Sequence, residues 1–360
     1  MSRALRICLI AASRFPIIEP FVGGLEAHTH ALARELVRRG HQVSLFAAPG
    51  SDPSLDVHHL QVKQREPSAA ARADVGATPR EWMSEHHAYL GLMVDLAQEG
   101  YGHFDVVHNN SLHYLPIAMA RSLSPVVVTT LHTPPLDLLE SAIDLAPPSS
   151  VFVSVSHATA RAWSPHVAST TIHNGIDTDR WAYGPGGGAA VWFGRLVAEK
   201  APHHAILAAR AAGMDLDLVG PRLDPTYFAE QVEPLLGDGV VYRGHLGHRE
   251  LAAMVARASV AVVSPVWDEP YGLVAAEAMA CGTPVAAYAR GGLPEVVGRD
   301  GGALARPDDP HDLARAMVRA RQLDRRTVRR RVQEHFSLAA MVDKYVDLYR
   351  QVIPANADVA

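Results

Sequence analysis

Residues 259–289 read SVAVVSPVWDEPYGLVAAEAMACGTPVAAYA, and three kinds of segment follow one another in them. SVAVVSP and PVAAYA are short apolar runs with a proline at one end, as buried strands are. Between them, residues 272–281 are almost all small or apolar, as in a helix packed into a core. Strand, helix, strand is the repeating unit of a parallel sheet. Glu277 interrupts this reading, because a buried carboxylate without a partner is costly or takes up a proton. A second carboxylate, Glu269, stands eight positions earlier.

The same alternation extends outward in both directions. LRICLIA, HQVSLFA, FDVVHNN, PVVVTTLH and SVFVSVS read as strands of the first half, and AVWFGRL, LDLVG and GVVYRGHL join the two strands above in the second. Helical patterns lie between them, as in residues 25–39, where Leu32 and Leu36 are four apart and Gly40 is a stop signal. Glycine and proline cluster without periodicity in DRWAYGPGGG, residues 179–188. The expected organisation is an α/β domain over residues 1–178, a linker at 179–189 and a second α/β domain at 190–335. A last helix in 336–360 (SLAAMVDKYVDLYRQVI) packs back towards the first domain. Two doubly wound sheets facing each other enclose a cleft beyond the carboxyl ends of their strands, where such sheets bind ligands. Residues 63–79 (KQREPSAAARADVGATP) lack periodicity and are expected to form a long mobile loop.

Composition narrows the function. The chain has 360 residues, 48% apolar and 20% charged, which suits a soluble protein of about two domains. No apolar run approaches the ~20 residues of a membrane span. MSRALRICLIAAS has too short an apolar run for a signal peptide and leads into a helix and strand, so it reads as a first buried strand of a cytoplasmic protein. Cys8 and Cys281 sit in apolar settings and suggest neither a disulfide framework nor a metal site. A net charge of -5 gives no reason to expect nucleic acid. RQLDRRTVRRR, residues 321–331, offers weak contact to an anionic membrane surface, with a solvated helix face the heavier reading. The twenty histidines include no HExxH spacing. No GxGxxG follows the first strand, which argues against a nicotinamide oxidoreductase.

Several unusual residues fall just after strands. Gly23-Gly24 opens a helix, so backbone amides and the helix dipole can face an anion, although a simple turn explains the pair as well. Arg195 and Lys200 in FGRLVAEK suit a diphosphate, with the guanidinium forking across oxygens and the ammonium acting as a point charge. Pro270 fits the first turn of a helix, and Gly272 lets a ligand approach the amides of Leu273 and Val274. Glu269 then precedes the helix and Glu277 lies about two turns inside it. Their offset of ~12 Å, if helical throughout, matches a nucleoside diphosphate sugar from ribose to sugar ring. A structural partner for Glu277, a buried amide or an arginine, is the alternative. Asp-x-Asp occurs at Asp215-Leu216-Asp217 and Asp177-Thr178-Asp179, but neither pair stands beside Arg195, and no metal site is expected.

GGLE at 23–26, HNGID at 173–177, FGRLVAEK at 193–200, EPYGLVAAE at 269–277 and GGLPEVV at 291–297 together resemble the retaining glycosyltransferases of family 4. The resemblance implies the GT-B fold, two Rossmann-like domains facing a central cleft. It also implies transfer of a sugar from a nucleoside diphosphate sugar, a UDP-sugar on family frequency, to a hydroxyl-bearing acceptor. No metal and no further cofactor are implied. By position, Arg195 and Lys200 correspond to the diphosphate clamp, Glu269 to the residue on the donor-sugar hydroxyls and Glu277 to the one on the ribose. Leu273, Val274 and, from the first domain, Gly24 correspond to amides on the phosphates. His132, in TTLHTPP, matches a histidine facing the donor sugar, and His157 is a weaker candidate that fits a helix start. The acceptor belongs with the first domain, where residues 63–79 and Trp82 lie. Family members often carry Lys-Gly where this chain has Lys200-Ala201-Pro202, and alanine resists a positive φ, so a different local turn is expected. A nucleotide-sugar epimerase and a non-catalytic nucleotide-sugar-binding protein are the rival readings.

Overall fold

The computed structural model describes residues 3–60, 67–76, 78–98 and 100–353. All ten strands read from the sequence are present. The first sheet contains β1 (Arg6–Ile10), β2 (Gln42–Ala47), β3 (Val57–His59), β4 (Val106–Asn109), β5 (Val126–Leu131), β6 (Val151–Ser154) and β7 (Thr170–Thr171). The second contains β8 (Ala190–Phe193), β9 (Leu216–Val219), β10 (Val240–Tyr242), β11 (Ala261–Val263), β12 (Val285–Tyr288) and β13 (Gly302–Ala305). β3, β7 and β13 were not legible in the sequence, being short edge strands with histidine, threonine or small residues instead of an apolar run.

The strand orders are β3-β2-β1-β4-β5-β6-β7 and β10-β9-β8-β11-β12-β13, with parallel pairing. Each order reverses beside its first strand, between β1 and β4 and between β8 and β11. Chain leaving the two strands at such a point turns to opposite faces of the sheet, which opens a crevice. Branched residues fill the first core, where Ile7, Leu9, Leu36 and Val128 are fully buried. The second core relies more on small residues, Ala275, Ala276 and Ala278 among them. Cys8 and Cys281 are buried and unbridged.

The helix Leu338–Val352 returns to the first domain, burying Met341, Val342, Tyr345, Val346 and Tyr349 in the same core as Ile7 and Leu9. The crossing is pinned at Ile176, whose amide donates to the Phe336 carbonyl (2.8 Å) and whose carbonyl accepts from Leu338 (3.0 Å). Gly184, Gly186 and Gly188 donate to the carbonyls of Cys281, Ala256 and Arg257, holding the glycine-rich segment against the second domain.

Two expectations need correction. The basic run at 321–331 is not simply a solvated face. Arg325, Arg329 and Arg331 are half-buried and donate to backbone carbonyls, including those of Ala256, Thr178 and Glu295. Arg321, Arg326 and Arg330 remain exposed. Within 63–79, residues 63–66 and 77 lie outside the described residues, but Ala69–Arg72 forms a helical turn capped by the Ser68 hydroxyl. Among the described residues, no helix is long and apolar enough to cross a membrane.

Candidate active site

A cleft of about 370 Å³ runs between the two sheets, lined by both domains. Gly23, Gly24 and His132 face it from the first domain, and Arg195, Lys200, Glu269, Gly272, Leu273, Val274 and Glu277 from the second. These ten of the residues singled out in the sequence therefore meet in one place, and His157 does not.

The helix Gly24–Arg38 starts after Gly23, which is extended, and the helix Leu273–Ala280 starts after Gly272, which is left-handed at φ 96°. The two starts nearly touch across the cleft: a Cβ on Gly24 would lie 2.7 Å from Leu273 Cδ1. Two helix starts, each the positive end of a helix dipole, thus converge on one space. Arg195 borders it, its Cδ and Nε each 4.0 Å from where a Gly23 Cβ would be.

Lys200 donates to Glu269 Oε2 at 2.5 Å, and Trp267 Nε1 donates to the same oxygen at 3.2 Å. The Lys200 ammonium also lies 4.9 Å from the Trp267 ring centroid, a cation–π contact. Arg195 is held by Glu199 at 2.9 Å. Gly291, at φ 54°, has no room for a Cβ, which would stand 2.1 Å from the Glu269 carbonyl oxygen, and the Gly292 amide donates to that oxygen at 2.7 Å. The glycine pair of GGLPEVV therefore props up the loop that carries Glu269.

Glu277 is half-buried at the floor of the cleft, and no side chain among the described residues pairs with it. Burial pushes its carboxyl up to about 8. The carboxylate is thus kept without a protein partner, and the structural alternative fails. The spacing estimate also changes. The helix begins only at Leu273, so Glu277 lies little more than one turn inside it, and Pro270 precedes the helix. Gly272's left-handed conformation turns the chain there, and a helical rise does not separate the two carboxylates.

Ala201 overturns another expectation. It adopts the left-handed conformation (φ 44°, ψ 56°) that glycine takes most readily. The Ser264 hydroxyl holds the turn, bridging the carbonyls of Lys200 (3.2 Å) and Ala201 (2.9 Å).

In the first domain His132 Nε2 meets Asn110 Oδ1 at 2.7 Å. Burial, and then the neighbouring His28 and His108, hold its pKa well below the ordinary imidazole range, so the ring is neutral. Glu26 and Arg14, absent from the sequence-derived set, also line the cleft. Burial raises the Glu26 carboxyl against opposing backbone hydrogen bonds and the nearby Arg195 and Arg14. Its place as the last residue of GGLE, in the first turn of the helix, was the available signal; nothing in the sequence marked Arg14.

The same domain carries an aromatic stack outside the cleft lining. Trp82 stacks on His86 (centroids 5.0 Å apart, planes 8°), and His86 Nδ1 meets the Tyr114 hydroxyl at 3.0 Å. Their helix, Arg80–Ala97, is anchored where Tyr89 donates to the Ala11 carbonyl just beyond β1. Seven residues of helix separate Trp82 from that anchor, about 10 Å along the axis.

His157 is the exposed first residue of the helix His157–Trp163 and does not line the cleft. It lies with His173 and Glu295, their nitrogen and oxygen ligand atoms within 4.8 Å of one another. Glu295 accepts from the His157 amide at 3.2 Å, so a second-domain carboxylate caps a first-domain helix. Neither Asp-x-Asp reaches the cleft: Asp217 pairs with Arg243 at 2.7 Å, and Asp177 accepts amides of its own turn.

Comparison with known proteins agrees with this architecture. Residues 22–180 match the model described as Glycosyltransferase Family 4, and residues 189–322 match that of Glycosyl transferases group 1. A glycogen synthase of Mycobacterium tuberculosis is 29% identical, over 87% of this chain and 85% of its own length. D-inositol 3-phosphate glycosyltransferase 1 of Catenulispora acidiphila is 28% identical over 97% of this chain and 96% of its own. Anabaena HepE, solved with UDP and glucose, superposes with a TM-score of 0.74 at 18% identity, covering 96% of this chain and all of that one.

Proposed function

The chain belongs to glycosyltransferase family 4 and has the GT-B fold, and on that premise we propose that it uses a UDP-sugar, retains the anomeric configuration and needs no metal ion. The observation that carries the proposal is the meeting of two helix starts, at Gly24 and Leu273, beside Arg195 and Lys200. Such a space favours a diphosphate and stabilises the charge that develops on it as it departs. UDP is the nucleotide in the HepE complex, which supports the choice of donor. The epimerase and binding-protein readings give way to sugar transfer.

In the proposed reaction the bond from C1 of the sugar to the phosphate oxygen breaks through an oxocarbenium-like transition state. The acceptor oxygen bonds to C1 on the same face, and its proton passes to the departing phosphate. The state of the cleft's carboxylates supports a route without a protein nucleophile. Burial raises the carboxyls of Glu277 and Glu26, Glu269 is held by Lys200 and Trp267, and Glu19 pairs with Arg180. Arg195 and Lys200 clamp the diphosphate in this reading, with the amides of Gly24, Leu273 and Val274. Glu269 and His132 take the sugar and Glu277 the ribose. The positive charge already present beside the diphosphate site, together with the remote Asp-x-Asp pairs, supports metal-independent chemistry.

A hydroxyl acceptor enters from the first domain. Two buried, unbridged cysteines fit a cytoplasmic enzyme. A thermal-shift panel of UDP-, GDP- and ADP-sugars tests the donor, since a ligand at 100 times its Kd adds ~2.7 kcal/mol of stability. NMR of the product's anomeric proton tests retention, and undiminished turnover in excess EDTA tests metal independence. An inverted anomer, or a shift with another nucleotide alone, would overturn the corresponding part.

A further inference from the structure

Behind His132 a chain of buried polar side chains runs to the last helix. His132 Nε2 meets Asn110 Oδ1 at 2.7 Å, and Asn110 Nδ2 meets His108 Nε2 at 3.2 Å. His108 Nε2 also faces the Thr130 hydroxyl at 2.8 Å, and the Tyr345 hydroxyl lies 3.0 Å from that of Thr130. On its other side His108 Nδ1 meets the Tyr349 hydroxyl at 2.6 Å. His108, Asn110, Tyr345 and Tyr349 have no exposed surface, and Thr130 is 1% exposed.

The roles along this chain follow from which atoms can donate. The Asn110 amide nitrogen can only donate, so His108 Nε2 accepts and carries no proton. His108 then holds its proton on Nδ1 and gives it to the Tyr349 oxygen. The Asn110 carbonyl oxygen can only accept, so His132 must donate from Nε2. Tyr349 is 241 residues from His108 along the chain, so the array is complete only when the C-terminal helix is docked. A buried polar array is costly unless every member is satisfied, and here the members satisfy one another in sequence towards the cleft.

We propose that Asn110, His108 and Tyr349 are positioning residues that hold the His132 ring with its proton on Nε2, leaving Nδ1 as the nitrogen offered to the donor sugar's hydroxyls. This rests on the placement of His132 at the donor sugar in the proposed function. An imidazole presented this way accepts a hydroxyl proton and cannot donate one, so the array selects the orientation of the sugar hydroxyl it meets. Burial also lowers the pKa of His108 to about 3 and that of His28 to about 4, which keeps the surroundings uncharged.

Long-range ¹⁵N–¹H correlation spectra of histidine-labelled protein test the assignment, with the His132 signals identified by their loss in His132→Gln. The expected result is a proton on Nε2 of His132. Asn110→Leu should release the ring to the Nδ1–H tautomer, whereas Asn110→Asp, which still accepts, should retain Nε2–H. Turnover should fall about tenfold in Asn110→Leu and a few-fold in Tyr349→Phe, with UDP affinity unchanged within about twofold. If Asn110→Leu does not fold, Tyr349→Phe is read in the same spectra, with a shifted His108 tautomer expected. A wild-type proton on Nδ1, or a tautomer indifferent to these substitutions, overturns the proposal. Full turnover in His132→Gln would instead overturn the placement of His132 at the sugar, and the tautomer result would distinguish the two failures.

Discussion

In the second domain the side chains facing the cleft come from short pieces of chain: Arg195 to Lys200 after β8, and Glu269 to Glu277 after β11. In the first domain most come from one stretch, residues 12–27, and His132 stands far from it along the chain. Arg14 follows β1, Glu26 opens a helix, and His132 follows β5 and is held through Asn110 and His108 by a tyrosine of the last helix. Local geometry places the first group, because a strand end and a helix start constrain residues a few positions apart. Packing places His132, whose supporting partners lie far off along the chain. The second-domain set should therefore respond to single substitutions as separate contacts, and the first-domain set as a coupled unit.

The largest expected effect is on the cations. Arg195→Ala or Lys200→Ala should lower turnover about 100-fold, equivalent to ~2.7 kcal/mol of barrier. Release of UDP in the presence of acceptor measures it, and a near-normal rate in either variant would remove that residue from the clamp. The carboxylates come next. Glu277→Ala should weaken binding of free UDP about tenfold by calorimetry, whereas Glu269→Ala should leave UDP binding nearly intact and mainly impair transfer. Equal loss of UDP affinity in both would erase the proposed division between ribose and sugar ends.

Glu277 also predicts a pH dependence of stability. Its carboxyl is raised from 4.5 to about 8 in the folded chain, so the native state binds a proton that the unfolded state has released between those values. Stability should fall as pH rises through that window and level off above about 8. Glu277→Gln should flatten the slope and raise Tm at pH 8 while weakening UDP binding. A slope identical to that of the wild type would show that the group titrates normally. The smallest effect concerns Ala201, whose left-handed backbone carries a modest strain. Ala201→Gly should add roughly 0.5–1 kcal/mol in denaturant titrations without changing turnover. A loss of stability would mean that the Ala201 methyl group's packing outweighs that strain.

Legibility in the sequence followed the same divide. GGLE, FGRLVAEK and EPYGLVAAE were readable because each motif places its glycines, cations or carboxylates within a few residues of a strand end. Glu277 was conspicuous as a charge in an apolar helix, and the structure leaves it unpaired at the cleft floor. The same reading overextended that helix through Pro270, since composition does not reveal where Gly272 turns left-handed. It also doubted Ala201, whose turn depends on Ser264, more than sixty residues away. Arg325, Arg329 and Arg331 looked solvated because their partners are backbone carbonyls, which no side-chain pattern records.

The sequence by itself determined the alternation of strands and helices, the division into two α/β halves and the motifs at the strand ends. These depend on periodicity and on backbone freedom within a few residues. The tertiary structure alone decided that the starts of two helices from different domains face each other. It also decided that no side chain among the described residues pairs with Glu277, and that Tyr349 closes a hydrogen-bond array reaching His132. Those relations join residues as many as 249 positions apart, as Gly24 and Leu273 are, and the packing of apolar faces that brings them together leaves no local signature in the chain.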